Sequence, residues 1–113
     1  MHELGISRNI VAIVSEAANG RRVLRVTLEI GRLSGVVADS VRFCFDLATG
    51  GTPLEGAVLE IVETPGRAYC RQCQHEIDIE DHVPLCECGS ADLELLSGQE
   101  LRIKDVEVVE QCV

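Results

Sequence analysis

Two close cysteine pairs, Cys70-x-x-Cys73 and Cys86-x-Cys88, stand twelve residues apart and constrain the fold more than any other feature of the chain. Folded together, such pairs can surround one ion with four thiolates at about 2.3 Å each, the tetrahedral shell of structural zinc. The stretch therefore reads as a zinc ribbon with Cys70, Cys73, Cys86 and Cys88 as ligands. Gly89 follows the second pair, where a knuckle needs a turn that glycine adopts without strain. The second pair is one residue shorter than the usual knuckle. Whether His75 or His82, in the intervening loop, joins the site therefore stays open, since imidazole also suits zinc. A disulfide or a redox Cys-x-x-Cys are the other readings. The opening residues do not read as a secretory leader and no βαβ frame surrounds the cysteines, so zinc is favoured.

The remaining residues must supply the core. At 113 residues the chain suits one compact domain, and a ribbon of this size relies on its metal to fold. The formal charge is -9, which repels phosphate backbones. Aromatic residues make up 3% of the chain and tryptophan is absent, so a base-stacking platform is hard to build. Both facts weigh against a nucleic-acid ribbon, although a nucleic-acid or protein interaction module remains the alternative reading. No apolar run approaches the roughly 20 residues needed to cross a bilayer. A cytoplasmic protein with reduced thiols and no membrane contact is expected.

At the amino terminus, Met1-His2-Glu3 has its own chemistry. His2 is too large to favour methionine removal, so the Met1 amine should remain beside an imidazole. The amine, the His2 amide nitrogen and the His2 ring can close fused chelate rings on one planar ion, with Glu3 completing the plane. Such a nitrogen-rich square suits Ni²⁺ or Cu²⁺ better than Zn²⁺. A lone histidine is more often a surface residue, so ligand chemistry alone leaves the question open.

Helical spacing of Ile6, Ile10, Ile13, Val14 and Ala17 predicts an amphipathic helix from about Leu4 to Ala18, stopped by Asn19-Gly20. Alternation predicts a strand from Arg22 to Gly31, with Leu24, Val26, Leu28 and Ile30 on one side. Asp39 is the expected N-cap of a second helix that buries Val41, Cys44, Phe45 and Ala48; Cys44 reads as a small apolar residue rather than a ligand. A second strand is expected from Ala57 to Thr64. A short hairpin strand should lie between the knuckles, around Ile77 and Ile79, in the acidic run of Glu76, Asp78, Glu80 and Asp81. A third strand carries Leu101, Ile103, Val106 and Val108, whose phase slips at Lys104-Asp105 and calls for a bulge. Cys112 should fray at the end. The expected fold is α+β. A small three-stranded sheet with two helices comprises residues 1–64 and 98–113, and the inserted ribbon comprises residues 65–97.

Met1-His2-Glu3, then Ile30-Gly31-Arg32-Leu33-Ser34, Phe43-Cys44-Phe45-Asp46, and a late ribbon ending Cys88-Gly89-Ser90 occur in an order that resembles the HypA/HybF hydrogenase maturation family over nearly the whole chain. The resemblance implies a nickel-binding accessory protein rather than an enzyme. It implies nickel at His2, with Met1 and Glu3 beside it, and structural zinc on Cys70, Cys73, Cys86 and Cys88. It further implies delivery of Ni(II) to the large subunit of a [NiFe] hydrogenase in company with a HypB-type GTPase. Exposed sheet edges are compatible with a monomer or a weak homodimer. A zinc enzyme is disfavoured, because four thiolates leave no open coordination position.

Overall fold

The computed structural model describes residues 3–80 and 84–110. Its elements follow in the order α1 (Glu3–Ala18), β1 (Val23–Gly31), α2 (Ala38–Ala48), β2 (Val58–Thr64), β3 (Gly66–Cys70), β4 (His75–Ile79), β5 (Leu93–Ser97) and β6 (Leu101–Val108). Two three-stranded sheets result, one ordered β2-β1-β6 and the other β4-β3-β5. The first carries the two helices, giving the expected α+β fold. The molecule is elongated, with principal extents of 60 × 28 × 17 Å.

Helix α1 buries Ser7, Ile10, Val11, Val14 and Ala18. The stripe is rotated from the one expected: Ile13 is 58% exposed and Ala17 faces solvent, while Val11 and Ala18 are inside. The cause is α2, which packs along the Ser7 side of α1; the Ser7 hydroxyl donates to the Val41 carbonyl at 3.3 Å. Asn19 (φ 51°) and Gly20 (φ 86°) both take left-handed backbone and end α1 where the sequence placed its stop.

The second helix begins two residues earlier than its expected cap allows. Val37, extended and without a capping side chain, occupies the N-cap, and Asp39 lies inside the first turn. There its carboxylate still faces the positive end of the helix dipole. Strands β1 and β2 pair in parallel, so α2 is the crossover that parallel pairing requires. This βαβ unit was not foreseen. It lies in the first sheet, and the cysteine pairs lie outside it.

Strand β1 is the spine of the core. Val23, Val26, Leu28 and Ile30 are buried against Ile10, Val14, Val41, Phe45, Leu54 and Leu59. Leu24, expected inside, is 44% exposed. The β1–β6 register shifts between Val23 and Arg25, so Leu24 is the extra residue and Val23 takes the inward place. On β6 the expected bulge is present: Thr27 faces Asp105 and Leu28 faces Ile103, leaving Lys104 unpaired. Ile103, Val106 and Val108 consequently all pack against the core. The opposite face of the sheet carries ion pairs of Arg25 with Glu60 and Glu107 and of Arg102 with Glu29.

Candidate metal centre

Strand β3 is the middle strand of the second sheet, and its alternation buries Gly66, Ala68 and Cys70. Neither β3 nor β5 was expected; β4 corresponds to the predicted hairpin strand around Ile77 and Ile79. Cys70 thus sits at the buried end of a strand with partners on both sides. The chain then turns through Cys73 to Gln74, whose amide donates to the Cys70 carbonyl at 2.8 Å and whose φ is +62°. The second knuckle closes similarly. The Gly89 amide donates to the Cys86 carbonyl at 2.8 Å, and the Cys86 amide to the Ser90 carbonyl at 3.0 Å. Gly89 has φ +89°, the left-handed turn that the sequence assigned to it.

Arg71 clasps the knuckles together. Its guanidinium meets the Asp92 carboxylate at 2.8 Å, and its amide donates to the Asp92 carbonyl at 3.1 Å. Each residue is an ordinary surface type in the sequence, and no local pattern joins them across 21 positions.

These turns bring four sulfurs together within 4.8 Å of one another. Cys70 Sγ is 3.7 Å from Cys88 Sγ, and Cys73 Sγ is 3.6 Å from Cys86 Sγ. A tetrahedron with ligand bonds of about 2.3 Å has edges of about 3.8 Å, so the arrangement matches a tetrahedral thiolate shell. It is far too wide for disulfide bonds of about 2.05 Å. All four are free thiols. The shorter Cys86-x-Cys88 spacing therefore still completes the cage.

The thiols are unequal without an ion. Cys70 is pulled down to about 6, chiefly by the Cys73 backbone N–H, with help from the Gln72 N–H and the thiols of Cys73 and Cys88. Cys73 is pushed up to about 12 because its thiol hydrogen-bonds those of Cys70 and Cys86. For Cys88 the Ser90 N–H favours the thiolate, but hydrogen bonds with Cys86 and Cys70 and desolvation outweigh it and raise the pKa. Loading a cation must displace the remaining thiol protons.

Among the described residues this cluster contains no histidine. His75 is exposed at the start of β4, opposite Cys70 in the register. His82 lies outside the described residues, as do Met1, His2 and Cys112. Glu3 opens α1 and supplies the acidic residue of its first turn. Cys44 is half-buried on α2 and takes no part in the cluster, as expected. Ile6, Ile10 and Ile13 line a groove with Leu28, Leu101 and Ile103. The Glu3 end of α1 thus lies toward the end of the first sheet from which β6 starts.

The family model described as hydrogenase/urease nickel incorporation, metallochaperone, hypA matches residues 1–108. The chain belongs to the HypA family. Within the family, the hydrogenase maturation factor HypA of Trichormus variabilis is 58% identical over 113 residues, covering all of both chains. That of Geotalea daltonii is 49% identical over 110 residues, covering 96% of this chain and 100% of its own. The solution structure of the Ni metallochaperone HypA from Helicobacter pylori has the same fold, with a TM-score of 0.69 at 23% identity over 98% of this chain and 100% of that one. HypA membership makes the chain one of a family of nickel metallochaperones for hydrogenase maturation. Among the described residues, no helix is long and apolar enough to cross a membrane.

Proposed function

We propose that this chain carries Ni(II) at its amino terminus and delivers it to the large subunit of a [NiFe] hydrogenase, working with a HypB-type GTPase in the cytoplasm. The family match carries this reading, because it runs from residue 1 and includes the terminal Met1-His2-Glu3. The Met1 amine, His2 and Glu3 hold nickel in a nitrogen-rich planar array, a donor set that suits Ni(II) as cargo. Cys70, Cys73, Cys86 and Cys88 hold Zn(II), for which a four-sulfur tetrahedron is suited and which serves structure rather than catalysis. The division of labour follows residues 1–64 and 98–113 for nickel and 65–97 for zinc. The protein turns nothing over.

Nickel titration of the zinc-loaded protein tests this. The wild type takes up about one further equivalent of metal, and His2→Ala loses it, since affinity depends on each ligand of a small site. Unchanged nickel uptake by the variant contradicts the assignment.

A further inference from the structure

Three stretches of chain meet where the two sheets join: the turn after β1, the β2–β3 connection and the β5–β6 connection. The Gly31 amide donates to the Glu100 carbonyl at 2.7 Å, the Leu33 amide to the Gly98 carbonyl at 2.7 Å, and the Arg32 amide to the Thr64 carbonyl at 2.9 Å. Backbones approach this closely only because the contact residues lack side chains. A Cβ on Gly31 would overlap the Gly98 carbonyl, one on Gly98 would lie 2.7 Å from the Gly66 Cα, and one on Gly66 would lie 2.5 Å from the Ile79 carbonyl oxygen.

Only two covalent connections lead from the helix-bearing sheet into the cysteine-bearing one, at Thr64–Gly66 and at Ser97–Glu100. Among the described residues, two side-chain contacts tie them to each other. The Ser97 hydroxyl donates to the Pro65 carbonyl at 2.9 Å, a single exposed bond. Glu100 does more: its Oε1 accepts both the Thr64 hydroxyl and the Gly98 amide at 2.7 Å. Bonds to a carboxylate are roughly twice as strong as neutral ones. The Thr64 hydroxyl first, then the backbone N–H groups of Glu100 itself and of Gly98, hold the Glu100 carboxyl below its ordinary range.

We propose that Glu100 is a positioning residue: its carboxylate fixes the orientation of the four-cysteine sheet against the helix-bearing sheet, and so against the Glu3 end of α1. The inference goes beyond the proposed function and does not depend on where nickel is held.

Residual dipolar couplings of backbone amides in the full-length, zinc-loaded protein test it. In the wild type, couplings from both sheets fit one alignment frame. Glu100→Ala loses the shared frame while each sheet's couplings still fit its own coordinates and zinc content is unchanged. Glu100→Gln, whose amide oxygen can accept the same two bonds, keeps one frame. Thr64→Val, which removes one donor, shifts the frame in the direction of Glu100→Ala, and decides the matter if Glu100→Ala does not fold. A purely stabilising role would lower the melting temperature of Glu100→Ala without separating the frames. A single unshifted frame in both Glu100→Ala and Thr64→Val overturns the proposal.

Discussion

The sulfurs of Cys73 and Cys86, 13 positions apart in the chain, face each other at 3.6 Å, and with the Cys70–Cys88 pair at 3.7 Å they bring the two knuckles onto one point. A cation held between them would take both sulfurs as thiolate ligands. Structural zinc contributes about 10–16 kcal/mol to the folding of small metal-dependent units. Cys73→Ala is therefore expected to lose zinc and to collapse the amide dispersion of residues 66–97, while the signals of α1, β1 and α2 stay in place. Zinc analysis alongside an amide correlation spectrum checks this. Full zinc retention would mean that the four sulfurs are not the ligand set.

The first sheet stands on its own core. Phe45 is 1% exposed and lies in the layer between α2 and the sheet with Val41 and Leu54. Phe45→Ala is expected to cost about 3–5 kcal/mol. Urea unfolding followed by helix circular dichroism measures it, and the zinc content of the folded protein should not change.

The junction makes a contrast between two glycines. Gly31 has no room for a methyl group beside Gly98, whereas Gly50 has no heavy atom within 4 Å of the equivalent position. Gly31→Ala is expected to destabilise by several kcal/mol, as overpacking against backbone does. Gly50→Ala is expected to be neutral or to stabilise by about 0.4–1 kcal/mol through the unfolded chain. Thermal melts of the pair of variants decide the point.

Glu100 gives a pH dependence of known sign. Its hydrogen bonds from Thr64 and Gly98, and the nearby Arg102 charge, favour the carboxylate, so its native pKa is depressed. Such a group contributes fully above the ordinary glutamate range and loses that contribution as pH falls through the lower native value. The stability difference between wild type and Glu100→Gln should therefore be constant near neutrality and shift against the wild type in acid. Urea unfolding of both proteins over a pH series reads it. Comparing the two cancels the acid weakening of the thiolate site that both share.

Much of this architecture was legible because alternation and helical spacing mark a half-buried element directly. The β6 bulge at Lys104 was readable from a one-residue phase slip, and Asn19-Gly20 marked the end of α1. What stayed hidden depended on partners distant in sequence. Leu24 and Val23 exchange faces because β6 imposes a bulge on β1, which β1 alone does not encode. Val37 rather than Asp39 caps α2, because the helix starts two residues sooner than a cap at Asp39 allows. β3 and β5 are five-residue strands in a small sheet, and β5 has three exposed positions of five, too little burial to stand out from a loop. The four cysteines were legible because thiol spacing is itself the signal. The Arg71–Asp92 clasp and the Glu100 bonds were not, because nothing in the spacing of common polar residues distinguishes them.

The central claim is tested most directly by nickel titration of zinc-loaded protein with its native terminus and of the same protein bearing a short amino-terminal extension. The extension leaves His2, Glu3 and all four ribbon cysteines in place but removes the Met1 amine from the chelate. The native terminus is expected to bind about one equivalent of Ni(II) and the extended one to lose that binding, as affinity depends on every ligand of so small a site, with zinc equal in both. Equal nickel loading of the two proteins would contradict the terminal site and the carrier role built on it.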